Sequence, residues 1–181
     1  MSRTQPVAGV LLAAGAGTRF GMPKVLAEQG QWLRHAVHAL SAGGCDDIVV
    51  VLGAAVVEVP PPARAVVADD WATGMSASLR AGLTAVAAAE LAVLHLVDTP
   101  DVGADVVSRV LAAARTAESG LARAGYGGRP GHPVVVDRRH WPALLSTLSG
   151  DAGARAFLAG RDDVVVVACD DLATGADVDE R

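Results

Sequence analysis

The segment Leu12-Ala13-Ala14-Gly15-Ala16-Gly17-Thr18-Arg19-Phe20-Gly21-Met22-Pro23-Lys24 concentrates residue types that handle phosphate. It follows an apolar run, Val7 to Ala13, that has the profile of a buried strand feeding a tight turn. Glycines in that position let backbone N–H groups approach phosphate oxygens that a Cβ would hold off. Arg19 and Lys24 add the cationic partners a triphosphate requires. Lys24 stands out further, because the chain carries fourteen Arg and this single Lys. Two other phosphate loops fail on spacing. A Walker loop needs Gly-Lys followed by Ser or Thr, yet Lys24 follows Pro23 and precedes Val25. A dinucleotide GxGxxG loop needs a third Gly where Phe20 stands.

Asp98 is the second chemical candidate, at the end of the apolar run Leu91 to Val97 and before Thr99-Pro100. A carboxylate at the carboxyl end of a strand suits a metal that serves phosphates, although a helix N-cap or turn role is also open. Ser78 fits a helix surface on its own spacing. His35 and His38 lie one helical turn apart with no carboxylate to complete a metal site, and read as surface residues. His95 reads as a core or rim histidine. His132, between Gly131 and Pro133, either braces a turn or serves the site. Asp151 and Arg155, four apart at a helix start, suit an N-cap with an ion pair. Asp46-Asp47 and Asp162-Asp163 read as solvated turns. Cys45 and Cys169 belong to no CxxC pair and read as reduced, partly buried thiols.

Positioning these groups requires a scaffold, and 181 residues suit one domain spanning 1–181. Half of the residues are apolar, aromatics are scarce, and Val-rich runs alternate with Ala/Leu-rich ones. Strands are expected at 7–13, 48–52, 64–68, 91–97, 121–126, 134–136 and 164–168. Helices are expected at 32–40, 76–89, 104–117, 141–148 and 152–158. This alternation predicts an α/β, three-layer Rossmann-like fold: a mostly parallel sheet with helices on both faces. Ligands of such sheets bind beyond the carboxyl ends of strands, which brings together the first loop, the Asp98 turn and Trp71 to Ser78. The formal charge of −5 argues against nucleic acid as a bulk ligand. The opening Met1-Ser2-Arg3-Thr4-Gln5-Pro6 leads into no membrane-length apolar span and no signal-peptide pattern, so a cytoplasmic protein is expected.

The LAAGAGTRFGMPK loop resembles the signature loop of MobA-like NTP transferases, the nucleotidyltransferases related to molybdenum cofactor guanylyl- and cytidylyltransferases. Four further segments continue the resemblance. Trp71 to Leu83 resembles the family's W-x-x-G-x-x-x-S-L-R-x-G-L, Leu96-Val97-Asp98-Thr99-Pro100 its metal-binding strand end, Gly131-His132-Pro133 its GHP turn, and Gly150 to Arg155 its GDxGAR segment. Ala14, where guanylyltransferases more often carry Gly, resembles the cytidylyltransferase branch.

The resemblance implies a fold of the nucleotide-diphospho-sugar transferase type. It implies transfer of CMP from CTP to a phosphorylated acceptor, the molybdopterin-type cofactor being favoured, with release of pyrophosphate. Lys24, Arg19 and Asp98 would be the catalytic groups. Leu12, Ala13, Ala14, Gly15, Gly17, Thr18, Arg19, Lys24, Gly74 and Ser78 would bind the nucleotide, and Asp98 with Asp177 would hold Mg²⁺. A molybdoenzyme or cofactor-handling protein is the implied macromolecular partner. A sugar or lactate phosphate as acceptor, or a non-catalytic nucleotide-binding or chaperone-like role, are the alternatives. Three departures fall on the acceptor and metal side: Thr99 stands where relatives often have Gln, Ala68 where they have Asn, and Asp177-Val178-Asp179-Glu180-Arg181 where they have DxDTPED and a helix.

Overall fold

The computed structural model describes residues 5–180; Met1 to Thr4 and Arg181, and the expectations drawn from them, lie outside the described residues. The strands are β1 (Val7–Leu12), β2 (Asp47–Leu52), β3 (Arg64–Val67), β4 (Leu91–Leu96), β5 (Leu121–Tyr126), β6 (Arg129–Asp137) and β7 (Val165–Ala168). The helices are α1 (Ala27–Ala42), α2 (Met75–Ala85), α3 (Ala104–Thr116), α4 (Trp141–Thr147) and α5 (Arg155–Leu158). All seven strands form one sheet in the order β3-β2-β1-β4-β6-β5-β7. Every pairing is parallel except those of β6, which runs antiparallel to both β4 and β5.

Burial explains that order. Every residue of β1 and nearly every residue of β4 is buried, so their unbroken apolar sequences suit the centre of a sheet covered on both faces. The edge strands β3 and β7 are largely exposed. One core lies between the sheet and α1 with α3, around Leu11, Leu40, Val93 and Val107. The other lies between the sheet and α2 with α4 and α5, around Val10, Leu79, Leu94 and Phe157. The expected α/β, mostly parallel, two-faced architecture is therefore the observed one. No helix among the described residues is long and apolar enough to cross a membrane.

Differences from the expected elements have local causes. Glu28, Gln29 and Gly30 have φ of 50, 55 and 82°, so the right-handed part of α1 starts after Gly30, near the expected Trp32. The second helix stops at Ala85, and α5 is a single turn rather than the expected 152–158. Arg129, Pro130 and Gly131 belong to β6 rather than to a turn; Gly127 and Gly128, both with positive φ, make the reversal alone. Gly82 inside α2 has a packing reason. A Cβ there would lie 2.4 Å from Val10 Cγ1, so the glycine lets the helix sit close on β1.

Candidate active site

The carboxyl ends of β1 and β4 and the start of α2 enclose a cleft of about 640 Å³. Its floor is Leu12, Ala13 and Ala14, fixed to the neighbouring strand by two backbone bonds. The Ala13 N–H donates to the Val51 carbonyl at 3.0 Å, and the Ala54 N–H donates to the Ala14 carbonyl at 2.9 Å. Gly53 has no side chain because a Cβ there would meet Trp71 at 2.5 Å and the Ala14 Cβ at 2.9 Å. Trp71 is thereby wedged against the loop, and the cleft wall it forms is set by two small residues.

Beyond the floor the loop turns back on itself. Gly17 has φ +64°, and a Cβ on it would lie 1.8 Å from the Met22 carbonyl oxygen. Only glycine fits that close return, which the Gly21 N–H to Gly17 carbonyl bond of 2.8 Å completes. Gly15 is different: nothing lies within 4 Å of its would-be Cβ, so its bare backbone faces the open cleft. Among the described residues, the amides of Gly15, Ala16, Gly17, Thr18 and Arg19 find no hydrogen-bond acceptor in the protein. A run of free N–H groups on a closed loop is an anion cradle. Thr18 and Arg19, both exposed, also line the cleft.

Lys24 stands at the mouth of this cradle. Its Nζ donates to Asp98 Oδ2 at 2.8 Å and to Asp179 Oδ1 at 3.0 Å. Burial pulls the ammonium pKa down, but the hydrogen bonds to Asp98 and Asp179 outweigh it, so the pKa rises above its ordinary value. The same bond to Lys24 holds the Asp179 carboxyl below its usual range. Asp98 does not serve as a helix cap: α3 begins at Ala104, behind Gly103. Its carbonyl instead accepts the Val178 N–H at 2.9 Å, which brings the segment around Asp177 and Asp179 over the sheet edge.

Asp98, Asp177 and Asp179 offer one carboxylate oxygen each, all within 4.8 Å of one another. Three hard oxygen donors beside a phosphate cradle fit Mg²⁺ or Mn²⁺. Asp98 lines the cleft, as does Asp179, whereas Asp177 joins the trio from just outside it. Reading the sequence singled out Asp98 and Asp177 and passed over Asp179. Its spacing to Asp177, i and i+2 on an extended segment, was the available signal.

Gly74 and Ser78 line the opposite wall. Gly74 has φ +121°, and a Cβ there would press on the Gly150 backbone at 2.5 Å. Ser76 locks the same contact, donating from its N–H at 3.0 Å and from its hydroxyl at 2.5 Å to the Gly150 carbonyl. Asp151 is thus held against the cleft. It neither caps α5, whose N-cap is Ala154, nor pairs with Arg155.

The histidines separate. His38 is exposed, while His35 is partly buried with its Nε2 at 3.1 Å from the Val102 carbonyl. His95 is fully buried and both its ring nitrogens lack a partner; burial first, then His132 and His35, push its pKa down to about 3. Both cysteines are free and buried, and burial pushes the Cys45 thiol up to about 12.

A parallel-sheet cleft with an amide cradle, a lysine and a carboxylate trio describes a nucleotide-phosphate enzyme of the nucleotidyltransferase class. The profile of the MobA-like NTP transferase domain matches residues 9–165, and the chain belongs to that family. It is 40% identical to nicotine blue oxidoreductase of Paenarthrobacter nicotinovorans over 189 residues, covering 96% of this chain and 92% of that one. The crystal structure of Rv0371c from Mycobacterium tuberculosis H37Rv superposes with a TM-score of 0.81 at 28% identity, covering 97% of this chain and 94% of that one. A second structure of Rv0371c, in complex with manganese, gives a TM-score of 0.72 at 27% identity over the same shares of the two chains.

Proposed function

We propose that this chain transfers CMP from CTP to a phosphorylated acceptor of the molybdopterin type and releases pyrophosphate, acting in the cytoplasm as one domain. The observation that carries the reading is the run of amides from Gly15 to Arg19, unpartnered among the described residues, beside Lys24 and Asp98. An acceptor phosphate oxygen attacks the α-phosphorus, and the bond from that phosphorus to the β-phosphate oxygen breaks. Such a transfer needs alignment and charge neutralisation more than covalent help from the protein. The loop amides cradle the triphosphate, and Lys24 and Arg19 stabilise the charge that collects on the departing pyrophosphate. Asp98, with Asp177 and Asp179 beside it, would hold Mg²⁺, which would supply neutralisation of phosphate charge. The manganese complex of Rv0371c supports a hard divalent cation here.

Ala13, Ala14, Gly74 and Ser78 face the base, and the Ala14 methyl group narrows the floor in favour of the smaller cytosine. The product would pass to a molybdoenzyme or cofactor-handling protein. Pyrophosphate release, measured with CTP or GTP, with and without Mg²⁺, and with molybdopterin-type, sugar-phosphate and lactate-phosphate acceptors, tests the reading. Preference for GTP overturns the choice of base. Turnover only with another acceptor overturns the choice of molybdopterin, and nucleotide binding without any turnover favours a chaperone-like role.

A second reading rests on the relative from Paenarthrobacter, whose name describes an oxidoreductase. With Phe20 in place of the third glycine of a dinucleotide loop, the diphosphate of a reduced nicotinamide dinucleotide would have to rest on the amides from Gly15 to Arg19 alone. Oxidation of NADPH by a conjugated dye substrate, with no pyrophosphate release from CTP, would favour it.

A further inference from the structure

Two cations are assigned to one set of carboxylates. The first is the Lys24 ammonium, whose Nζ donates to Asp98 Oδ2 at 2.8 Å and to Asp179 Oδ1 at 3.0 Å. The second is the divalent ion of the reading above, for which Asp98, Asp177 and Asp179 offer oxygens within 4.8 Å of one another. Mg²⁺ takes its oxygens at about 2.0–2.1 Å. An ion shared by Asp98 and Asp179 must therefore enter the space that the ammonium fills, since Nζ already touches a carboxylate oxygen of each. Lys24 and Asp98 are both partly buried, so water screens the repulsion between adjacent cations poorly. One of the two has to leave.

The local structure makes the ammonium the mobile partner. Lys24 opens the short 3₁₀ turn Lys24–Leu26, where Val25 is buried and the Leu26 N–H donates to the Pro23 carbonyl at 2.9 Å. The backbone is thus fixed, while the side chain is a flexible four-carbon stem with a compact charge at its end. It lines the same cleft as Gly15, Gly17, Thr18 and Arg19, so rotation of the stem alone carries the charge from the carboxylates towards an anion on the cradle. The carboxylates have anchors that do not involve Lys24. The Val178 N–H donates to the Asp98 carbonyl at 2.9 Å, and the Thr174 N–H and hydroxyl donate to Asp101 Oδ2 at 2.6 and 2.5 Å. Those bonds keep Asp177 and Asp179 beside Asp98 once the ammonium has gone.

We propose that Lys24 is a placeholder for the divalent cation: it yields Asp98 and Asp179 when the metal binds, and only then turns to the triphosphate. The assignment rests on the nucleotidyltransferase reading above and couples two of its parts. Without metal, two carboxylates neutralise Lys24 and it offers the phosphates little. With metal, the carboxylates have another cation and the chain's single lysine is released. The coupling is reciprocal, so a phosphate that draws Lys24 away also opens the carboxylates to metal. Metal affinity in the nucleotide-free chain is lowered by the fraction of time the ammonium spends between Asp98 and Asp179. Removing the Lys24 charge should therefore tighten metal binding.

The test is calorimetric titration of Mn²⁺ into the nucleotide-free full chain. Lys24→Met, which keeps the stem and removes the charge, should bind Mn²⁺ about tenfold tighter than the wild type. Lys24→Arg, which keeps a cation there, should return the affinity towards the wild-type value. Arg19→Gln removes a cleft cation that pairs with no carboxylate among the described residues, and should leave Mn²⁺ affinity nearly unchanged. A second readout uses the wild type alone, labelled with ¹³C at lysine Cε, because one lysine gives one NMR signal. Added Mg²⁺ should move that signal towards the position of an unpaired lysine, and Asp98→Asn should abolish the movement. This readout keeps the test decisive if Lys24→Met does not fold. Unchanged or weaker Mn²⁺ binding by Lys24→Met, an equal gain in Arg19→Gln, or a lysine signal unmoved at saturating Mg²⁺ would each overturn the placeholder and leave the metal site standing. Absence of Mn²⁺ binding to both wild type and Lys24→Met would instead overturn the metal site of the underlying reading, and the placeholder with it.

Discussion

The cradle after β1 takes all its groups from one short stretch of chain, whereas the carboxylate side joins Lys24 to Asp179 across 155 positions of sequence. The first depends on backbone shape: a glycine that no other residue can replace, and amides left free. The second depends on the sheet bringing separate carboxylates to one edge and on the segment near Asp177 crossing over them. Substitutions on the two sides should therefore fail in different ways. Damage to the cradle should loosen nucleotide, and damage to the carboxylate edge should stop turnover while nucleotide still binds weakly.

The most severe break should be Asp98→Asn. It keeps the shape and removes the charge, so the fold should survive while magnesium-dependent turnover falls by roughly 10³-fold or more. Full activity across a magnesium titration would place the metal elsewhere. Lys24→Ala comes next, with a loss of roughly 10²- to 10³-fold in turnover on saturating nucleotide and little change in Tm. Because Lys24 bridges the two sides, it should also raise the nucleotide concentration needed; a variant with near-normal turnover would remove Lys24 from the mechanism.

A pair of glycines sharpens the comparison within the cradle. Gly15→Ala should leave Tm unchanged, since its Cβ meets nothing in the protein, yet weaken nucleotide by about tenfold. Gly17→Ala should lower both Tm and affinity, because a Cβ cannot coexist with the Met22 carbonyl. If Gly15→Ala binds CTP as tightly as the wild type, the free amides are not the phosphate contact.

The smallest effect is on stability and belongs to neither side. His95, beneath both, has a folded pKa of about 3, against about 6.5 for an unfolded histidine. Between those values the unfolded chain binds a proton that the folded chain does not. The contribution is therefore fully present above about pH 6.5 and is lost as pH falls toward 3. Thermal unfolding should drop by roughly 5–10 °C between about pH 6.5 and 4.5. His95→Leu should flatten part of that slope and leave the part due to His132, whose pKa is also lowered. An unchanged slope would mean that His95 is solvated or paired in solution.

How much of this was legible in the sequence follows the same division. The cradle, the order of strands and helices, and the carboxylate at the end of β4 could be read from apolar runs, glycine spacing and strand ends. Those signals are local. The strand-end rule brought Trp71 to the first loop, but Gly53 and the wedge it forms with Trp71 and Ala14 could not be read, because that contact exists only after β1 and β2 pair. Asp179 was passed over for a related reason: its partner Lys24 is remote in sequence. Asp151 and Arg155 had the spacing of an N-cap and ion pair, but α5 is one turn long and starts beyond Asp151. Tertiary clamping by Ser76 decided that segment, not its helical propensity.

The bond from the Val178 N–H to the Asp98 carbonyl has one more consequence. It ties a surface segment to the strand end that carries Asp98, and breaking it exposes little apolar surface. Opening there is a local event that leaves both cores intact. The Val178 amide should consequently exchange its hydrogen far faster than amides in β1 or β4, and slow when metal and nucleotide are bound. A single backbone proton thus reports how often the carboxylate edge is assembled, without any turnover being measured.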